Sequence, residues 1–326
     1  MKKKQSWIKD IVSWTDDNDE SILYLSVVFT WHLPQALKMA RQHSQGKVIA
    51  GGPAVSMMPD YLAKYAEVRT STDMPVLSRH NPLATFTSRG CPRGCSFCAV
   101  PRTEGEYREL KEWDIKPIVC DNNLLAGSRK HFDDVIDRLK ILKSRDRIDF
   151  NQGLDARLFE DYHAERFSEL KNAKLRFSFD SPEQEESVVH AIETAVKHGF
   201  RGRDIHVYVL IGYEDNPDDA IYRMEVIRSL DALPYPQRFQ PLYAMERNKY
   251  IDSKWTNHEL HRIQTYYSNL HDVKTFFGRI PFHEWHPHPE KDVFLVEKYG
   301  TTTGHKNLMI FDEAEMNDCE RRNRKQ

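Results

Sequence analysis

The sequence lacks long apolar runs, an excess of one charge and an even set of cysteines. Its longest apolar stretches, such as Val207–Ile211, have the length of a strand, so no segment is predicted to span a bilayer. Lysine and arginine (47) nearly balance aspartate and glutamate (49), and a net charge of −2 excludes a global basic field for holding a polyanion. The basic start meets Asp16 before the apolar part of a secretory signal could develop, so no leader is predicted.

Cysteine is scarce and unevenly placed. The five cysteines form an odd set, and three of them fall within eight residues, too close together to be good disulfide partners. This pattern predicts a reducing, cytoplasmic setting and a metal site. The remaining composition, 40% apolar and 29% charged over 326 residues, is typical of a soluble chain that can bury the core of one large α/β domain or two smaller ones.

Apolar runs and helical patterns alternate along the chain. Ile22–Phe29 and Val48–Ala50 are predicted strands on either side of a helix at Pro34–His43, which forms a βαβ-like unit. Six further strands with intervening helices imply a parallel sheet whose ligand site lies at the carboxyl ends of its strands. These strands are predicted at Leu83–Thr87, Ile115–Cys120, Ile148–Asn151, Leu175–Phe179, Ile205–Ile211 and about Arg238–Tyr243, with helices notably over 128–144, 182–198 and 217–231.

Three regions follow from this pattern. Residues 1–80 are predicted to form an N-terminal α/β segment, residues 81–250 the core, and residues 251–326 an α-rich extension with a frayed tail. The helix over 182–198 carries the clearest boundary signals. Ser181 is predicted to cap it, with Pro182 in the first turn and Gln184 completing a capping box.

The most informative segment is the loop that follows Leu83–Thr87. Cys91, Cys95 and Cys98 have the spacing C-x3-C-x2-C, and three thiolates on one tight loop can bind three corners of a cubane iron–sulfur cluster. The fourth iron then has no local protein ligand and is open to a small molecule. The alternative is a structural zinc with a fourth ligand such as Cys120 or a histidine, although zinc modules usually pair two C-x2-C knuckles and only one is present.

At these residues the chain resembles the radical S-adenosylmethionine superfamily, over roughly residues 83–245. The resemblance implies a partial (β/α)6 barrel with a 4Fe-4S cluster on Cys91, Cys95 and Cys98. It also implies that S-adenosylmethionine binds the open iron and is cleaved by one electron to methionine and a 5′-deoxyadenosyl radical. A flavodoxin- or ferredoxin-like protein is the implied electron donor.

The same resemblance assigns S-adenosylmethionine contacts to the ends of the predicted strands. Family members often place Gly-Gly-Glu after the second strand, and this chain has Asp121-Asn122-Asn123 there. The segment after strand five loosely resembles an I-x-G-x-x-E pattern with one residue fewer. The predicted cofactor-binding residues are Asp121, Asn122, Asn151, Arg157, Asp180, Ser181, Gly212 and Glu214. For Ser181 the helix-cap role remains an equal alternative, and catalytic residues are not assigned.

The branch of the superfamily is indicated by what surrounds the cysteines. The stretch from Val100 to Arg108 resembles the V-P-x-x-x-G-x-x-R segment of methylthiotransferases and cobalamin-associated members, and Val48–Pro53 resembles the close of a cobalamin-binding domain. Residues 1–90 contain no cysteine for a second cluster, and no D-x-H-x-x-G cobalamin loop is present. We therefore predict one cluster, no cobalamin, and an N-terminal segment that is a degenerate remnant.

Some features are assigned ordinary roles. Cys120 is predicted to be a small buried hydrophobe, and Cys319 and the His283, His286, His288 group are not expected to bind metal. The substrate is not legible from the sequence. Two interpretations compete with the general one: an RNA- or nucleotide-modifying relative of the methylthiotransferases, and a zinc-stabilised nucleic-acid-binding module without catalysis. The overall charge does not support nucleic acid as a partner, and no membrane partner is predicted, since the apolar runs are too short.

Overall fold

The computed structural model describes residues 9–43, 45–69, 76–143, 147–270 and 282–284. The chain divides into two compact units: residues 1–175 with 240–250, and residues 176–239 with 251–326. The three predicted regions have other boundaries and stay a prediction. The tail residues Cys319, His286 and His288 lie outside the described residues.

The first unit begins with a four-stranded sheet in the order β1-β2-β3-β4. Strand β2 pairs with β3 in parallel through the helix α1, which confirms the predicted βαβ unit, and β1 adds an antiparallel edge. Leu33, Ala36 and Ala40 form one buried face of α1. The elements are β1 (Ile11–Thr15), β2 (Ile22–Val27), α1 (Leu33–Gln42), β3 (Lys47–Gly51), α2 (Pro53–Met57), β4 (Glu67–Val68) and α3 (Leu77–His80).

The rest of the first unit holds short parallel strands. Strands of only two or three residues pair in the order β5-β8-β9, and their ends leave long loops for polar side chains. An antiparallel pair, β6 and β7, interrupts them. The elements are β5 (Ala84–Thr85), β6 (Ser88–Arg89), α4 (Val100–Thr103), β7 (Arg108–Glu109), β8 (Ile118–Val119), α5 (Arg129–Leu139), β9 (Ile148–Phe150) and α6 (Asp161–Ser168).

The second unit is built on longer strands. Strand β11 alternates buried and partly buried residues along seven positions and pairs in parallel with β12. The whole strand order is β12-β11-β10-β9-β8-β5, which confirms a mixed α/β fold with a parallel sheet. The elements are β10 (Ala173–Ser178, which begins in the first unit), α7 (Glu185–Lys197), β11 (Ile205–Ile211), α8 (Pro217–Ser229), β12 (Leu233–Arg238) and α9 (Asn257–Ser268).

Two local predictions were wrong. The last strand lies at 233–238 rather than about 238–243, because Pro234 and Pro236 are tolerated on an edge strand that has only one neighbour. At the helix after β10, Ser181 takes the predicted N-cap position and Pro182 begins a 3-10 turn at Pro182–Gln184. The predicted capping box is wrong, because the Ser181 side chain makes no capping hydrogen bond within the described part of the chain. The Gln184 side chain instead accepts from the backbone N–H of Asp180 at 2.8 Å.

None of the described helices combines the length and the apolar character needed to cross a membrane.

Candidate functional site

The three cysteines lie on a loop framed by a short hairpin. Ser88 and Arg89 of β6 pair with Glu109 and Arg108 of β7, so the residues on both sides of the loop are held together. Gly90 starts the loop with a positive φ of 74°, and a Cβ there would lie 2.1 Å from the Glu106 carbonyl oxygen. Only glycine fits this turn, which places Cys91 at the mouth of the hairpin.

Glu104 ties the start of the cysteine loop to the end of β8. One of its carboxylate oxygens accepts from Gly90 N at 3.0 Å, from Arg89 Nε at 2.9 Å and from Asn122 Nδ2 at 2.8 Å. Its side chain is 10% exposed. The predicted residue Asn122 therefore contacts the loop through a glutamate that the sequence analysis did not single out.

Asp121 anchors the residues that precede the loop. Its carboxylate accepts from the Thr87 backbone N–H at 2.6 Å, from the Thr87 hydroxyl and from the Ser88 hydroxyl at 2.8 Å. The residue is 3% exposed, and burial raises the pKa of its carboxyl group. In this arrangement both oxygens of Asp121 serve the protein backbone and hydroxyls.

Asp155 joins the cysteine loop to the end of β9. It accepts from Arg93 Nε at 2.8 Å, from Arg157 Nε at 2.7 Å and from Asn123 Nδ2 at 3.2 Å. Burial alone would raise the pKa of Asp155, but the bonds and charges of Arg157 and Arg93 outweigh it and lower this pKa. An ionised carboxylate thus gathers two arginines and an amide beside Cys91.

The sulfur of Cys91 lies among N–H donors. The backbone N–H of Arg93 is 3.4 Å from this sulfur, and Asn123 Nδ2 is 3.8 Å from it. Asn123 is 3% exposed, and its Oδ1 has no hydrogen-bond partner among the described residues. Such donors stabilise a thiolate, which is the form of cysteine that binds metals.

The types of donor on the cysteine loop match those of an iron–sulfur cluster, but the structure does not bring the three side chains to metal-binding distances. All three thiols belong to one loop, each cysteine is half-buried, and N–H groups face the sulfur of the first. Among the described residues, no three histidine, cysteine or acidic side chains are gathered closely enough to hold a metal ion. The structure therefore shows a cysteine loop that Glu104 and Asp155 anchor and that has N–H donors beside Cys91, without an assembled metal site among the described residues.

In the second unit, the predicted residues lie in the turns that follow β10 and β11. Asp180 Oδ1 accepts from the backbone N–H of Leu210 at 3.2 Å, and Ser181 is half-buried. Gly212 has a φ of 79°, and its N–H donates to Asp215 at 3.0 Å. Glu214 is exposed and has a left-handed φ of 56°.

Asp215 closes the β11 turn and was not predicted. It accepts from Arg223 Nη2 at 2.5 Å and from Trp255 Nε1 at 3.0 Å, in addition to the turn backbone. Arg223 is fully buried and also donates to the carbonyl oxygens of Phe179 at 2.8 Å and Leu210 at 3.1 Å.

The structure gathers part of the predicted set around the cysteine loop. Asp121 contacts Thr87 and Ser88, which precede the loop, and Asn122 and Arg157 contact the loop through one carboxylate each. Asn151 directly follows β9, and its backbone N–H donates to Val119 O at 2.9 Å. Four further residues around the loop were not predicted as site residues: Asn123, Asp155, Glu104 and Arg93. Their position in or beside the quoted motifs was a usable signal, but their pairing arises only from the fold.

Comparisons with known proteins extend this picture at the level of the fold. No protein-family model matches the chain, and no curated protein matches it. Among solved structures, its fold is similar to that of the radical S-adenosylmethionine methyltransferase TsrM from Kitasatospora setae with cobalamin and a 4Fe-4S cluster bound. The TM-score is 0.51 and the sequences are 11% identical, over 70% of this chain and 66% of that one.

A second structure of TsrM from Kitasatospora setae, with tryptophan substrate and an S-adenosylmethionine analogue, has a TM-score of 0.49. It is 10% identical over 67% of this chain and 62% of that one. The chain therefore spans just under two thirds of the length of these structures. At such low identity the likeness shows the fold alone.

Proposed function

We propose that this protein is a radical S-adenosylmethionine enzyme with one 4Fe-4S cluster on Cys91, Cys95 and Cys98. The observation that carries the proposal is the cysteine loop itself, tied by Glu104 and Asp155 to the carboxyl ends of β8 and β9. That edge of a parallel sheet is where ligands of such folds bind. The proposed architecture is a partial (β/α)6 barrel, and the similarity to the fold of TsrM supports it.

When bound, the cluster supplies the electron that cleaves S-adenosylmethionine to methionine and a 5′-deoxyadenosyl radical, which abstracts hydrogen from substrate. The chain's own task is to hold three thiolates and to keep water from the site. Gly90 sets the loop turn, and the N–H groups of Arg93 and Asn123 stabilise negative charge on the Cys91 sulfur.

The S-adenosylmethionine contacts are proposed at the strand ends. In the first unit they are Asp121, Asn122, Asn151 and Arg157; in the second they are Asp180, Ser181, Gly212 and Glu214. For Asp121 the hydrogen bonds to Thr87 and Ser88 favour an indirect contribution, through the position of the cysteine loop. We further propose a cytoplasmic enzyme that takes electrons from a flavodoxin- or ferredoxin-like protein.

The metal content of cysteine variants tests the cluster. Replacing Cys91, Cys95 or Cys98 with alanine should each remove most of the iron from anaerobically reconstituted protein, because each supplies one of three ligands. The matched control is Cys120→Ala. Cys120 is 1% exposed, and burial raises the pKa of its thiol to about 12, so it is neutral at pH 7 and ill suited as a ligand.

Iron and colour should survive in the Cys120→Ala variant. If this variant loses its iron, the cluster has a fourth protein ligand and the open-iron proposal is wrong. Colourless wild-type protein that holds one zinc would instead establish the non-catalytic zinc module.

Reduced protein tests the reaction. With dithionite and S-adenosylmethionine, the reconstituted enzyme should slowly release 5′-deoxyadenosine even without substrate. Release of S-adenosylhomocysteine alone would assign polar methyl transfer and exclude the radical route.

Cobalamin is not part of this proposal, because the D-x-H-x-x-G loop is missing from the sequence. Full-length protein mixed with hydroxocobalamin should lose it on gel filtration. Stoichiometric retention would move the proposed reaction to cobalamin-dependent methylation.

A further inference from the structure

A cavity of about 650 Å³ lies in the first unit beside the cysteine loop. Its lining includes Ser26, Gly52 and His80, which belong to the N-terminal sheet and its flanking turn and to α3. The lining also includes Arg89, just before the cysteines, and Val100, just after them. This volume is within the range of small-molecule sites. The N-terminal segment therefore lines a cavity as well as packing against its surroundings.

Besides Trp113, whose Nε1 has no hydrogen-bond partner among the described residues, Arg89 is a cavity residue with hydrogen-bonding capacity to spare. Its side chain is only 16% exposed, its Nε donates to Glu104, and its guanidinium carbon lies 3.9 Å from the ring centre of Phe86. Within the described part of the chain, its two terminal amino groups have no hydrogen-bond partner. Neither of these amino groups is fully buried, so both are accessible to a ligand. A fork of this kind matches the two oxygens of a carboxylate or a phosphate.

Three basic and three acidic side chains line the cavity; Arg108, Glu112 and Asp114 are exposed, so the less exposed charges are Arg89, Lys116 and Glu104. Arg89 and Lys116 are mostly enclosed, whereas the partner of Lys116, Asp114, is 78% exposed at the rim. Glu104 is the enclosed acid, and it is already bonded to Gly90 and Asn122 as well as to Arg89. His80 adds no charge at neutral pH, because burial lowers its pKa.

The remaining lining is largely apolar. Phe86 and Trp113 contribute aromatic rings, and Val28, Val100 and Leu110 contribute aliphatic surface. Apolar and aromatic walls with a few fixed polar groups are typical of sites for compact organic molecules. The cavity thus combines a cationic fork with a surface suited to a flat apolar body.

We propose that this cavity binds an amphipathic organic anion, whose carboxylate or phosphate accepts from Arg89 and whose body packs against Phe86 and Val100. The proposal rests on the proposed function in one respect, that this ligand is the substrate class of the enzyme. The lining also includes Asn122, a proposed cofactor contact, so this ligand would lie next to the cofactor, as a substrate of a radical formed there must.

Isothermal titration of the full-length protein with three probes of one shape tests the ligand class. The probes are 2-naphthoate, 2-naphthyl phosphate and uncharged 2-naphthamide. At least one anion should bind about tenfold more tightly than the amide, and the preferred anion identifies the oxyanion type. Equal affinity for all three, or no saturable binding, would overturn the proposal.

A matched pair of variants tests the role of Arg89. Arg89→Lys keeps a positive charge near Glu104 but removes the fork, so it should lose most of the preference for the anion. Arg102→Lys is the control, because Arg102 follows the same loop, lies outside the cavity lining and is exposed. An unchanged preference in Arg89→Lys would show that the anion binds elsewhere.

A second variant covers the case in which Arg89→Lys is unstable. Leu110→Trp adds bulk to the cavity wall without changing charge and should weaken all three probes alike. Full binding by this variant would place the probes outside the cavity.

Competition separates this site from that of the cofactor. Naphthoate should still bind reconstituted protein in the presence of excess S-adenosylmethionine, and mutual exclusion would show that Arg89 belongs to the cofactor site. Iron content and 5′-deoxyadenosine release report on the proposed function independently. A failure there would leave the naphthoate titration unchanged.

Discussion

In each unit a buried aspartate that follows a parallel strand binds arginine side chains. The two clusters differ in how exposed those arginines are. Asp155 follows β9 and binds Arg93 and Arg157, whose side chains are each 37% exposed. Asp215 follows β11 and binds Arg223, whose side chain is 0% exposed. The first cluster is open to ligands, and the second is closed.

The two clusters differ in what the remaining N–H groups of their arginines bond to. Arg223 donates to the carbonyl oxygens of Phe179 and Leu210, so its hydrogen-bonding capacity is satisfied largely within the second unit. The arginines near the cysteine loop keep part of their surface in solvent, beside strands of two or three residues. We infer that the closed cluster serves stability, whereas the open cluster serves binding.

The largest expected effect is in the closed cluster. Asp215→Asn would leave the buried charge of Arg223 without its counterion and should lower the free energy of unfolding by about 3–5 kcal/mol, measured by urea denaturation. The control Glu193→Gln changes an exposed acid in the same unit and should stay within about 0.5 kcal/mol of wild type. Equal effects of the two variants would contradict the distinction between open and closed clusters.

The next effect separates two glycines of the cysteine loop. Gly90→Ala forces a left-handed φ on alanine and drives its Cβ into the Glu106 carbonyl, so it should cost about 2–3 kcal/mol and lower iron retention. Gly94→Ala is the matched control, since no atom of the described ranges lies within 4 Å of a Cβ at that position. Normal iron retention in Gly90→Ala would show that the turn does not position the thiols.

A smaller effect with a pH signature is expected at Asp155. Because its folded pKa is lowered, its ionised form stabilises the fold above the unfolded pKa of about 4, and this contribution is lost as pH falls through the folded pKa. Asp155→Asn should cost about 1–2 kcal/mol at pH 7, moderated by the exposure of both arginines. Urea titrations at pH 7, 5 and 3.5 should show the gap to wild type closing with acid. A constant gap would exclude the ionic contribution.

The smallest effect distinguishes two helix starts in the second unit. Asn216 caps α8 by accepting from the N–H groups of Asp218 and Asp219 at 3.0 Å, so Asn216→Ala should cost about 1 kcal/mol. Ser181 makes no such bond, and Ser181→Ala should cost less than about 0.5 kcal/mol. Thermal denaturation that ranks them in reverse would restore the cap predicted from the sequence.

The sequence predicted the elements best where side-chain periodicity was strong. β11 was placed at its observed bounds because its alternating apolar residues are buried on one face. β12 was misplaced because its two prolines are typical of loops, and their place on an edge strand depends on the neighbours of that strand. Asp155 and Glu104 could not be assigned, since their partners Arg93 and Asn122 are 62 and 18 positions away.

By itself, the sequence determined the features that depend on neighbouring residues: the spacing of three thiols on one loop, the α/β alternation, and the absence of a membrane-length apolar segment. Such local patterns follow from backbone periodicity and turn chemistry, which need no distant partner. The tertiary structure alone decided which carboxylates anchor the cysteine loop. It also decided that Arg89 lines the cavity with accessible amino groups and that Arg223 is fully buried against Asp215. Those outcomes depend on burial and on hydrogen bonds between residues far apart in the chain, and only the folded packing sets both.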